Sequence, residues 1–154
     1  MKALTLTQPW AGLVASGIKR IENRPWKPSA KMIGERFAIH ASRAIDRDAW
    51  RGIIEIAPEV ALDYPGPMAP ACRVHRLAEI TSAIIGVATV VTWVTHPHQI
   101  DAYTSPEQTK WFFGPVGFVL TDIHTIAAPV PCKGALGFWQ VPDDVARQVE
   151  EQLL

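Results

Sequence analysis

Alternation appears first in "ALTLTQ" (3–8), where apolar and polar positions take turns and Thr recurs at every second place, the pattern of a short strand. A helix is predicted next. Pro9 suits a first helical position, Trp10, Leu13 and Val14 share a face at spacings of three and four, and Gly17 is placed to end it with positive φ. "KRIENRPW" (19–26) reads as extended as far as Pro25, because proline has no amide to donate and disfavours helix before it. "RFAIHAS" (36–42) alternates again, with Phe37, Ile39 and Ala41 on one side and Ala38, His40 and Ser42 on the other.

From Asp46, a capping candidate, a helix is predicted through Trp50, Ile53 and Ile54. Four prolines in "APEVALDYPGPMAPAC" (57–72) then predict a surface loop. "SAIIGVATVVTWVT" (82–95) is β-branched and nearly continuous, which marks a central strand, and Gly86 marks a bulge or tight bend within it. "TSPEQTKWF" (104–112) opens a short helix with Ser105 as cap and Pro106 at the first position. "GFVLTDIH" (117–124) and "ALGFWQVP" (135–142) read as two more strands joined through "APVPCKG", and Asp143 caps a final helix bearing Val145, Val149 and Leu153. About six short strands with inserted helices predict an α+β fold, a small mixed sheet curled into a barrel, as one domain over residues 1–154.

Composition narrows the function classes. Apolar residues at 48% and charged residues at 19% describe a chain that buries a core, and 13 prolines with 10 glycines favour short elements joined by turns. No apolar run reaches the roughly 18 residues of a membrane span, and "MKALTLTQPW" lacks the apolar stretch of a signal peptide, so a cytoplasmic protein without a membrane partner is expected. Fifteen basic and fifteen acidic residues exclude a broad polyanion-binding surface. The distribution is uneven: residues 1–60 hold ten Lys or Arg against six Asp or Glu, and residues 61–154 hold five against nine. A modest positive face can therefore gather near the start of the chain, although an imbalance of this size also arises by chance. Cys72 and Cys132 lie far apart with no partner at zinc-ligand spacing and read as free thiols, and "HPH" at His96 and His98 has no evident third ligand. No metal or cofactor is expected, and neither G-x-G-x-x-G nor a Walker pattern is present.

The densest chemistry lies in "QPWAGLVASGIKRIENRPWKP" (8–28), where Lys19, Glu22 and Arg24 stand between Trp10 and Trp26. Strict alternation puts Glu22 and Arg24 on one strand face and Lys19 on the other, so the three converge only if Lys19 still belongs to the Gly17 turn. The plainer reading is a same-face Glu22–Arg24 ion pair, worth at most about 1 kcal/mol if exposed, with Lys19 solvated. In a shared pocket, Lys19 would suit a phosphate or a developing oxyanion, and Arg24 a two-pronged contact with phosphate or a guanine edge. Glu22 would accept from an exocyclic amine, hold Arg24, or act as general base on a water; only the last makes an enzyme, with Asp101 or Glu107 as candidates for a second carboxylate. Trp10, Trp26 and Trp111, beside Pro, Lys or loop residues, are stacking candidates, whereas Trp50 and Trp93 read as core. His40 and Ser42 share a face that would line the same cleft, unless His40 is a buried structural residue.

The segment "QPWAGLVASGIKRIENR" resembles the ASCH domain family, which has a PUA-like β-barrel fold. Its Q-P-W start, G-x-K turn, acidic or hydroxyl residue three positions after the Lys, and Arg two beyond that carry the resemblance. "IHAS" before a Trp-bearing helix, "GVATVV" and the closing "PVPCKGALGFWQVP" extend it over residues 4–142. The resemblance implies binding of RNA or a modified nucleotide in a cleft beside the barrel, edged by Lys19, Glu22 and Arg24 with Gln8 and Trp10 nearby. It also implies an alternative, a hydrolase acting on RNA or on the amide of a modified nucleoside, with Lys19 and Glu22 as catalytic candidates. In the amidohydrolase members the residue three after the Lys is a nucleophilic threonine, where this chain carries Glu22. A protein-interaction module is the third class, left open by the neutral net charge.

Overall fold

The computed structural model describes residues 1–61 and 70–154. Among these residues six strands form one mixed sheet: β1 (Lys2–Gln8), β2 (Ile21–Arg24), β3 (Arg36–Ile45), β4 (Ala83–Val94), β5 (Val116–Pro131) and β6 (Phe138–Gln140). Among the described residues four α-helices accompany them: α1 (Trp10–Ala15), α2 (Ala49–Ile56), α3 (Pro70–Ala78) and α4 (Asp143–Glu150). The strand order is β2-β5-β4-β3-β1-β6, with β1 parallel to β3 and all other pairs antiparallel. The mixed α+β architecture matches the sequence expectation. The barrel differs in one respect: among the described residues no ladder joins β2 to the β1/β6 side, so the curled sheet has a seam.

Side chains span that seam. Arg24 Nη2 donates to the Thr5 carbonyl at 2.7 Å, and Trp26 meets Phe138 edge-on with ring centroids 5.9 Å apart. The strand at one end of the ladder is thus tied to the two at the other. Strand alternation then sorts the core. Leu4, Leu6, Phe37, Ile39, Ile85 and Phe118 fill the inside of the curl, while Ala3, Ala38, Ile84 and Val87 face outward and are covered by Val145 and Val149 of α4. Gly86 sits where the β3–β4 and β4–β5 registers both shift, and a Cβ there would stand 2.7 Å from the His124 carbonyl, which is why the strand carries glycine at that point.

Several local readings need correction. Asp143 is the first helical residue of α4, not its cap, which is Pro142. The segment over 116–131 is a single strand running through the "APVP" that was expected to be a connector. The predicted surface loop at 57–72 lies outside the described residues over 62–69; its start holds a 3-10 turn (Pro58–Val60), and its end opens α3, which the pattern did not predict. Among the described residues no helix is long and apolar enough to cross a membrane.

α3 packs on α1, and Gln8 makes the joint. Its Nε2 donates to the carbonyls of Leu77 and Ile80 at 2.7 and 2.6 Å, and its Oε1 accepts from the Gly12 amide at 3.0 Å, serving a helix start that no capping side chain serves. Gly12 is needed at the crossing, since a Cβ would come within 3.0 Å of the Ala78 backbone nitrogen. Gln8→Ala leaves three backbone groups without this partner at a fully buried site. The expected cost is about 2–4 kcal/mol, read as a lower denaturant midpoint at unchanged m-value.

Candidate functional site

The site begins with the turn out of α1. Gly17 adopts φ +80°, and the Lys19 amide donates to the Leu13 carbonyl at 3.1 Å, so Lys19 lies in that turn, ahead of β2. It therefore escapes the alternation of β2 and folds back onto Glu22. Lys19 Nζ meets Glu22 Oε2 at 3.0 Å and also donates to the Ile21 carbonyl. Arg24 Nε meets the other carboxylate oxygen, Oε1, at 3.1 Å. Lys19 is 2% and Glu22 7% exposed and Arg24 is half-buried, so this is a largely buried charge triad and not the exposed pair of the plainer reading. Taking such charges out of water is tolerable only because each oxygen of Glu22 has a cation and each cation a further backbone carbonyl. Two cations against one carboxylate leave a formal charge of +1.

Above the triad the seam widens into a cleft of about 340 Å³. β6 covers β1 only as far as Leu4, so Thr5, Leu6 and Thr7 form one wall and Glu22, Asn23 and Arg24 of β2 the other. Trp10 and Phe113 close one end, edge to face at 5.8 Å. Lys19 Nζ stands 5.7 Å from the Trp10 ring centre, within cation–π range. Asn23 sets Phe113 in place: its Nδ2 donates to the Trp111 carbonyl at 2.9 Å and its Oδ1 accepts from the Phe113 amide at 2.8 Å. The cleft thus offers a net positive floor, the Thr5–Thr7 strand edge and aromatic ring surface.

Of the residues singled out in the sequence, Trp10, Lys19, Glu22 and Arg24 line this cleft together. The others go elsewhere. Gln8 is fully buried and its amide is spent on the helix joint. Trp111 is 0% exposed and packs with Leu13, Ile21 and Val119, so no base can reach its ring. Trp26 lies past Arg24, at the far end of the seam, and His40 is buried on the outer sheet face. Asp101 and Glu107 do not line the cleft, and among the described residues no other carboxylate joins Glu22 there. Thr5, Thr7, Asn23 and Phe113 were missed. "WFFGP" gave a signal of exposed aromatics before a turn, but only the Asn23 contacts decide which ring reaches the cleft.

The ASCH domain family model matches residues 4–124, which include both cleft walls, the triad and Phe113. The chain belongs to the ASCH domain family. Among solved structures it is similar to ASCH from Zymomonas mobilis, with 15% identity, a TM-score of 0.54, and coverage of 97% of this chain and 93% of that one. A single-residue variant of that protein matches with 15% identity, a TM-score of 0.53, and coverage of 97% and 96%. At this identity the likeness concerns the fold. No curated protein matches the sequence.

His40 and Cys132 belong to a separate cluster of this ASCH chain. The His40 ring packs edge-on against Trp139, and its Nε2–H donates to the Cys132 carbonyl at 3.0 Å, leaving Nδ1 buried without a hydrogen-bond partner among the described residues. Gly134 lies against the ring so closely that a Cβ would come 2.5 Å from His40 Cε1. Burial lowers the His40 pKa, partly offset by the bond to Cys132, and burial likewise raises that of the Cys132 thiol. Among the described residues no three His, Cys, Asp or Glu side chains gather as a metal site.

Because the folded imidazole holds its proton less well than the unfolded one, the unfolded chain binds more protons below the ordinary value of 6.5. His40 therefore contributes stability that is fully present above that value and is lost as pH falls toward the depressed folded pKa. Denaturant titrations at pH 7 and pH 5 should show a larger loss for the wild type than for His40→Gln. Equal losses would place the acid sensitivity elsewhere.

Proposed function

We propose that this protein binds RNA or a nucleotide in the seam cleft, with Lys19 and Arg24 supplying cationic contacts and Trp10 and Phe113 supplying ring surface for a base. The observation that carries this reading is a charge triad with one excess positive charge lining the same cleft as two aromatic rings. Phosphate is drawn by the charge and a base by the rings, and few other ligands need both. Membership of a family associated with RNA binding supports the ligand class.

Glu22 has the role of a positioning residue in this proposal. Each of its oxygens already accepts from a cation, which makes the carboxylate a weaker base, and among the described residues no second carboxylate lines the cleft for acid catalysis. The hydrolase alternative therefore has less support from the geometry than binding does.

Phe113 gives the clean test because it is 54% exposed and its ring can be removed without opening the core. Phe113→Ala should weaken binding of short RNAs or nucleoside monophosphates by about 5- to 100-fold, the loss of one stacking contact, at an unchanged denaturant midpoint. Arg24→Gln should weaken binding as well, with stability measured in parallel because Glu22 loses a partner. A panel of nucleosides and RNAs bound equally by the wild type and both variants would overturn the proposal, and turnover of any panel member would promote the hydrolase reading.

A further inference from the structure

The seam does not end at the cleft. Arg24 bridges to Thr5 and divides it, and beyond that bridge a second hollow of about 410 Å³ opens at the start of β1. Its floor is apolar: Trp26 and Phe138, both half-buried, with Met32 behind them. Lys2 and Lys31 stand at its rim, both exposed, and among the described residues no acidic side chain lines it. Among the described residues neither lysine has an ion-pair partner, whereas Lys19, Arg24 and Lys110 are all paired. Arg24, which lines the cleft, neighbours Trp26, which lines the second hollow, with its guanidinium 6.0 Å from the ring centre.

Resting on the reading that the cleft takes a nucleotide, we propose that the Trp26–Phe138 hollow is a second subsite of the same ligand. That ligand is a single RNA strand laid along the seam, not a free nucleoside. A neighbouring base covers the Trp26 and Phe138 rings, and Lys2 and Lys31 contact flanking phosphates. The occupant follows from charge and continuity. Two cations with no ion-pair partner among the described residues, around an aromatic floor, match a phosphodiester strand, and both hollows lie on the one seam that Arg24–Thr5 and Trp26–Phe138 span. Specificity then has two parts: the cleft selects one residue of the strand, and the second hollow, tolerant of any base, requires that the strand continue.

The test compares uridine monophosphate with fluorescein-labelled single-stranded RNAs of two to eight nucleotides. Binding to wild type, Lys2→Gln/Lys31→Gln and Lys2→Glu/Lys31→Glu would be followed by anisotropy at several salt concentrations. Both lysines are exposed, so the fold is kept. For wild type, affinity should rise with length. The Gln pair should lose about tenfold or more on the octamer and flatten its log–log salt slope by about 1.4, the effect of two phosphate contacts on a single strand. The Glu pair should lose more, and both should bind the mononucleotide as wild type does. Octamer binding unchanged by the lysine pairs, or no tighter than mononucleotide binding, overturns the second subsite and leaves the cleft reading standing. Octamer binding that Phe113→Ala and Arg24→Gln leave unchanged while the lysine pairs abolish it overturns the cleft reading instead. No binding of any RNA overturns both, and self-association of the chain that the lysine pairs disrupt overturns the second subsite by seating another copy in it.

Discussion

A sheet that curls far enough to bring its outer strands together, yet leaves them without a shared ladder, must satisfy the facing edges with something other than backbone. Here that task falls to Arg24, which reaches from β2 to the Thr5 carbonyl on β1. A guanidinium in that position needs an anion, Glu22 is the anion, and its second oxygen requires Lys19. The triad is therefore a consequence of the open seam as much as a binding feature. Closing the seam with a longer β6 would cover the β1 edge beyond Leu4 and fill the cleft.

The energetic logic is that of a network whose members are satisfied together. A buried ion pair seldom adds much stability over an apolar substitute, but removing one partner leaves the other desolvated and unpaired. Lys19, Glu22 and Arg24 each have at least two polar partners, so the arrangement is held in one geometry. That rigidity matters for recognition, since a preorganised cationic floor does not spend binding energy on ordering its own side chains. Asn23 extends the same economy to the aromatic end by fixing both Trp111 and Phe113 through its side-chain amide.

Gln8 and His40 carry a different lesson. Both are polar, sit beside recognisable motifs and look like ligand contacts in one dimension, yet in three both are buried and bonded to backbone carbonyls. Gln8 joins α1 to α3, a helix that the sequence pattern concealed behind prolines. His40 supports the approach of the β5–β6 connection, where Gly134 has no room for a side chain. Trp111 differs in kind: Pro, Lys and loop neighbours suggested exposure, but the 3-10 turn over Pro106–Trp111 directs its ring into the layer beneath β2 and β5.

The sequence by itself determined whatever depends on local period and on single-residue conformational demands. The alternation of β1 and β3, the continuous β4, the turn at Gly17 and the bend at Gly86 were all legible, because each follows from side-chain direction or from the absence of a Cβ. The membership of Lys19, Glu22 and Arg24 in one motif was legible too. Only the tertiary structure decided that the three charges meet, since Lys19 lies outside the strand whose alternation would have turned it away. It alone decided that β2 faces β1 across a seam, that Phe113 and not Trp111 reaches the cleft, and that Trp26 belongs to a second hollow. Those outcomes depend on contacts between residues distant in the chain, such as Arg24 with Thr5 and Asn23 with Trp111, and no local period encodes them.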